Sequence, residues 1–188
     1  MKTHDSVHIG SAGAGLHRSR LLDSASLVFQ GPVLVVIDMQ PGYKASNDAI
    51  TQWFVKQEIT RARQANQLIL IVEYHAHEMG ETYPDIMQLV DGYDRAVVVP
   101  KNGDDGSAEI LRACAARGYS QTSFRMCGVN SDACVLESVQ GLVDKEPGCS
   151  ITVVQDACNC LTGRANDVWY EDFPAIPNVN VELHGQGH

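Results

Sequence analysis

Cys134, Lys101 and Asp38 are the residues of this chain whose types and placement could do covalent chemistry. Cys134 lies in Met126-Cys127-Gly128-Val129-Asn130-Ser131-Asp132-Ala133-Cys134-Val135, where an apolar run meets a glycine turn and then helix-forming sequence. A thiol at the start of a helix faces unpaired backbone N–H groups. These favour negative charge, so they lower a thiol's pKa and can hold an oxyanion. Asp38 closes the apolar run Val33-Leu34-Val35-Val36-Ile37, and Lys101 closes Ala96-Val97-Val98-Val99-Pro100. An ammonium beside sulfur favours the thiolate, and a carboxylate can take the thiol proton and later hand it to a leaving amine. Cys134 is therefore expected to be an activated nucleophile and the most reactive of the six cysteines. Each residue alone has a plainer role: Asp38 as a loop cap, Lys101 as a solvated charge, Cys134 as a small buried side chain. Only their joint position at strand ends favours the chemical one.

The elements that must position these groups alternate. Strands are predicted over 33–38, 68–74, 96–99, 121–127, 151–155 and 178–183. Between them a helix is predicted over 48–65, with Ile50, Phe54, Ile59 and Ala62 at roughly helical spacing, and a second near 84–90. A third is capped by Ser107 and carries Ile110, Leu111 and Ala115, and a fourth covers 132–143. Residues 161–177 are expected to form a short helix and a loop. Strands apolar on both faces that alternate with helices imply a three-layer α/β/α fold around a central, mainly parallel six-stranded sheet. In such sheets ligands bind beyond the carboxyl ends of the strands, where the strand order reverses. With the order 3-2-1-4-5-6, Asp38 and Cys134 flank that crevice and Lys101 reaches it from two strands away.

The 188 residues are 44% hydrophobic, enough for one sizeable core, expected over 27–188. Residues 1–26, rich in Gly, Ser and His, are expected to be a flexible arm. Gly10-Ser11-Ala12-Gly13-Ala14-Gly15 follows no strand, so it does not read as a nucleotide loop. The net charge of −9, without a basic patch, argues against nucleic acid and anionic membranes as partners. No apolar run reaches membrane-spanning length and no signal peptide is evident, so the cytoplasm and reduced thiols are expected. Cys158-Asn159-Cys160 is a lone C-x-C with no second pair, which falls short of a zinc signature.

On Val35-Val36-Ile37-Asp38-Met39-Gln40, Val99-Pro100-Lys101, the Cys127–Val135 segment and Val153-Val154-Gln155-Asp156-Ala157, the chain resembles the isochorismatase-like cysteine hydrolases. That family includes nicotinamidases and N-carbamoyl amidohydrolases. The resemblance implies a catalytic triad of Asp38, Lys101 and Cys134 and a cis peptide at Val129-Asn130. It also implies an oxyanion hole from the N–H groups of Asn130 and Cys134. The implied activity is cleavage of an amide or carbamoyl C–N bond of a small molecule through a thioester, with no cofactor, in a homo-oligomer.

The chain departs from the family after the second strand. Nicotinamidases carry a metal site there, built on an Asp-x-His pair and further histidines, where this chain reads Glu73-Tyr74-His75-Ala76-His77-Glu78. Glu73, His75 and His77 are the candidate ligands. Two residues at i, i+2 face one side of an extended segment, however, and a full site needs at least three ligands. No metal is therefore expected, and the histidines are expected to line the pocket mouth. Tyr43, Tyr74, His75, Glu78, Tyr83 and Asn130 are the expected substrate neighbours, with Trp169 arriving from the late loop or from a neighbouring subunit. Isochorismatases cleave a vinyl ether without a cysteine nucleophile, so Cys134 favours a C–N substrate. The alternatives are a nicotinamidase, a binding protein that keeps the pocket without turnover, and a structural role in an oligomer.

Overall fold

The computed structural model describes residues 31–162 and 167–185. The expected arm over 1–26 lies outside the described residues. Six strands form one sheet in the order β3-β2-β1-β4-β5-β6: β1 Val33–Ile37, β2 Ile69–Tyr74, β3 Ala96–Lys101, β4 Ser123–Val129, β5 Ser150–Asn159 and β6 Val179–Glu182. Every neighbouring pair is parallel, so the sheet is parallel throughout and not merely in the main. β1 and β2 are buried along almost their whole length, the state their unbroken Val, Ile and Leu content requires.

Helix α1 (Ala49–Gln64) lies across β1 and β5, with Val55, Ile59 and Ala62 turned inward. α4 (Ser107–Ala116) packs on β2 and β3 and against α5 (Leu136–Lys145). Two short helices, α2 (Ala76–Met79) and α3 (Pro84–Met87), fill the connection from β2 to β3. Among the described residues of 161–177, a wide turn at Val168–Asp172 leads into the single turn α6 (Phe173–Ala175). Trp169 packs there on Phe173, with ring centroids 5.2 Å apart, as part of the core.

Three local expectations need correction. Ser107 is the first residue of α4 and not its cap. Its backbone N–H instead donates to Asp105 Oδ1 at 2.7 Å, so the preceding aspartate caps the turn. β5 runs to Asn159, four residues past the expected end at 155, through an irregular register beside Met126 and Gly128. The predicted helix over 132–143 does not begin as an α-helix. Ser131–Val135 form a π-type turn in which Val135 N–H donates to Asn130 C=O at 3.0 Å, and α5 follows.

A buried ionic network ties α1 to the far half of the sheet. Arg125 on β4 donates from Nε and Nη2 to the two oxygens of Glu58 on α1, at 2.7 and 2.8 Å. Its Nη1 reaches Glu182 on β6 at 3.2 Å. His184 Nδ1 lies 2.8 Å from Glu58 Oε1, while its backbone N–H donates to Asp156. Burial opposes the Glu58 charge most strongly, yet Arg125, His184 and Arg61 together hold its carboxyl below the usual range.

Candidate active site

The switch point in strand order falls between β1 and β4, and the crevice opens beyond their carboxyl ends. Gly128 lets these strands close up there. With φ at 120° it pairs with Ile37, and a Cβ at this position would sit 2.0 Å from Ile37 O. Asp38 follows directly, with φ at 52°. His75, just past the end of β2, has φ at 38°. Left-handed backbone is uncommon for residues other than glycine, though Asp and His adopt it more readily than most. Gln40 fixes the two loops to each other: its Nε2 donates to Tyr74 O and Gly80 O, and its Oε1 accepts from Tyr74 N–H at 2.8 Å.

Asp38, Lys101 and Cys134 meet in this crevice. Lys101 Nζ is 2.9 Å from Asp38 Oδ2, and both side chains are 0% exposed. The ammonium also donates to Gly103 O at 2.8 Å and lies 5.1 Å from the centre of the Tyr74 ring. Neither Asp38 oxygen has a well-aligned hydrogen bond among the described residues, so the carboxylate is held by charge alone, against the thiol. Burial pushes the Asp38 carboxyl above its ordinary value, and the Lys101 charge only partly offsets this. The peptide between Val129 and Asn130 is cis.

The thiol differs from its sequence expectation. Cys134 is 2% exposed, and burial together with the Asp38 charge pushes its pKa up to about 12, against the opposing pull of Lys101. It rests as a covered, protonated thiol, not as an exposed thiolate, because the π-type turn carries it inward beside carboxylates. Cys134 Sγ–H donates to Asp104 Oδ1 at 3.5 Å. Asp104, in Gly103-Asp104-Asp105-Gly106, is a site neighbour that the sequence alone did not single out. Its only sequence signal is a second carboxylate three residues after Lys101.

The expected substrate neighbours divide. Tyr43 stands by the sulfur, and its hydroxyl pKa is raised by burial and by the Asp38, Cys134 and Asp104 charges. Tyr74 lies under Lys101 and stacks on His75 with centroids 4.1 Å apart. Asn130 sits at the foot of the Ser131–Val135 turn, its carbonyl accepting from Ala133 and Val135. Tyr83 is committed elsewhere: its hydroxyl donates to Asn47 Oδ1 at 2.6 Å and contacts Ser46 Oγ, bracing the 3-10 turn Lys44–Asn47. Glu78 is largely exposed and faces His75 and His77.

A cavity of about 310 Å³ opens beside Lys101, lined by Glu73, His75, Ala76, His77, Pro100 and Asn102. A larger one of about 570 Å³ lies against β3 and α3 and includes none of Asp38, Lys101 and Cys134. Glu73, His75 and His77 do not fit a metal ion. Glu73 Oε1 is bound to Thr82 N–H at 2.8 Å, both histidines point to Glu78, and no group of three ligands converges among the described residues.

No family model and no curated protein matches this chain. Solved structures do. The nicotinamidase of Staphylococcus aureus superposes with a TM-score of 0.67 at 15% identity, over 80% of this chain and 98% of that one. N-carbamoylsarcosine amidase from Thermoplasma acidophilum gives 0.63 at 16% identity, over 84% and 98%. An isochorismatase from Pseudomonas putida gives 0.63 at 18%, over 81% and 87%. The chain therefore has the isochorismatase-like α/β/α fold. Among the described residues, no helix is long and apolar enough to cross a membrane.

Proposed function

We propose that this protein is a cysteine hydrolase that cleaves the C–N bond of a small amide or carbamoyl compound. The observation that carries the reading is the convergence of a buried carboxylate, a buried ammonium and a thiol at the sheet's switch point. Two of the structurally similar proteins, a nicotinamidase and an N-carbamoylsarcosine amidase, bear names of amide-cleaving enzymes, which supports it.

In the proposed reaction Asp38 takes the Cys134 proton as sulfur attacks the carbonyl carbon. Lys101 balances the Asp38 charge, and the N–H groups of Asn130 and Cys134 receive the oxyanion. Collapse breaks the C–N bond, with Asp38 returning the proton to nitrogen. The products are ammonia or an amine and a Cys134 thioester. Water then adds, giving its proton to Asp38; the C–S bond breaks and sulfur recovers the proton. The raised pKa of the thiol means that its proton passes to Asp38 as the sulfur attacks and not beforehand. The six buried, unpaired cysteines fit a reducing compartment, and the cytoplasm is the one we propose.

The covered sulfur favours one second reading, a protein that binds a small ligand without turning it over. Ammonia release from a panel of nicotinamide, simple aliphatic amides and ureido compounds, run with wild type and Cys134→Ala, separates the two. Release that depends on Cys134 supports hydrolysis. Ligand-induced thermal stabilisation without release supports binding alone.

A further inference from the structure

Asp104 and Asp105 are adjacent, yet their carboxylates have opposite fates. Asp105 is neutralised: it accepts from Ser107 N–H at 2.7 Å and pairs with Lys145 at 3.1 Å. Asp104 is exposed to solvent, and the Cys134 thiol is the one side-chain partner found for its carboxylate among the described residues. Its backbone is held in place, however. Asp104 C=O accepts from Ser138 Oγ at 3.4 Å and from Lys101 Nζ at 3.5 Å, and the same ammonium holds Gly103 O. Asp104 Oδ1 thus lies on anchored backbone, within bonding distance of the sulfur.

The charge balance around the sulfur follows. The charges that act on Cys134 are Asp38, Lys101 and Asp104. Asp38 and Lys101 form a closed pair at 2.9 Å and largely cancel. Asp104 has no such counter-charge among the described residues. A carbonyl seated on the sulfur would place the substituents of its carbon within a few ångströms of that carboxylate. A positive group there gains an ion pair in a partly water-excluded site, whereas a carboxylate there meets a like charge.

We propose that Asp104 is a specificity residue that selects amides bearing a cationic group, such as a protonated amine or guanidinium a few atoms from the carbonyl, and rejects amides bearing a carboxylate. The inference rests on the hydrolase reading of this crevice and narrows it, away from carbamoylated acids and towards basic amides.

Three matched compounds test it: 4-aminobutanamide, its neutral isostere pentanamide, and the anionic succinamate. Binding is measured by calorimetry on Cys134→Ala, which removes turnover, and ammonia release is measured on wild type. The cation is expected to bind roughly two- to fivefold more tightly than the neutral isostere, the range for a partly exposed ion pair, and the anion more weakly still. Asp104→Asn in either background should level the cation with its isostere. Glu109→Gln, which removes an equal charge from the first turn of α4, where it faces Arg112 at 3.8 Å, should leave the order intact. Equal binding of all three, binding of none, or an order unchanged by Asp104→Asn overturns the inference. If the binding order holds and Asp104→Asn levels it while wild type releases no ammonia from any amide, the hydrolase reading falls and the charge selection stands.

Discussion

Two buried carboxylates on this fold have been treated in opposite ways. Glu58 receives both arms of the Arg125 guanidinium and the His184 ring, so each of its oxygens is matched by a donor. Asp38 is equally buried and has one ammonium beside it at 2.9 Å, with no well-aligned hydrogen bond on either oxygen. The acidities move accordingly: Glu58 is held below its ordinary value and Asp38 is raised above it. A satisfied carboxylate stays ionised and holds structure. An under-satisfied one can accept a proton at little cost, which a general base requires. On the proposed function, the contrast separates a structural ion pair from a reactive one within a single sheet.

Substitutions should break this contrast in different observables. Asp38→Asn should lower kcat by about a hundredfold to ten-thousandfold, the span ascribed to a positioned proton carrier, with the near-ultraviolet spectrum of the folded protein retained. Arg125→Met should leave kcat per folded molecule unchanged but reduce unfolding free energy by about 3–5 kcal/mol in urea titrations, because it strands the buried Glu58 charge. A fall in kcat with unchanged stability would reverse the roles assigned to the two sites.

The two pKa shifts carry opposite signs. Glu58 has a depressed folded-state pKa, so its contribution to stability is present above the unfolded value of about 4.3 and is lost as pH falls through the lower folded value. Arg125→Met should flatten that acid loss. Asp38 has a raised pKa, so the acid limb of kcat/KM should lie above the ordinary aspartate value of about 3.9. Asp104 contributes to that rise, so Asp104→Asn should move the limb to lower pH. The smallest effect is expected at Tyr83→Phe: about 1 kcal/mol of stability from the lost Asn47 bond and no change in kcat, as befits a brace and not a substrate contact.

The unbroken apolar runs of β1 and β2 made the parallel sheet legible, because a strand buried on both faces leaves little room for polar residues; the strand order is not carried by any such run and rested on the family resemblance. Asp38, Lys101 and Cys134 were legible as strand-end residues for the same reason. Other features depend on three-dimensional encounters that no local pattern carries. Glu58 and Arg125 are 67 residues apart and read singly as surface charges. Asp104 sits in a run that any exposed turn would use, and its partner Cys134 is 30 residues away. The thiol's raised pKa escaped notice because the helix-start expectation counted N–H dipoles and one ammonium. It could not include the burial and the carboxylates that outweigh them.

The most direct test is the mass of the Cys134 peptide after wild type is mixed with a hydrolysable amide and quenched in acid during turnover. The account predicts an acyl adduct on Cys134, absent from Cys134→Ala, which also loses ammonia release by about a thousandfold or more. Sustained release by Cys134→Ala, or turnover by wild type through a step that never loads this sulfur, would contradict it.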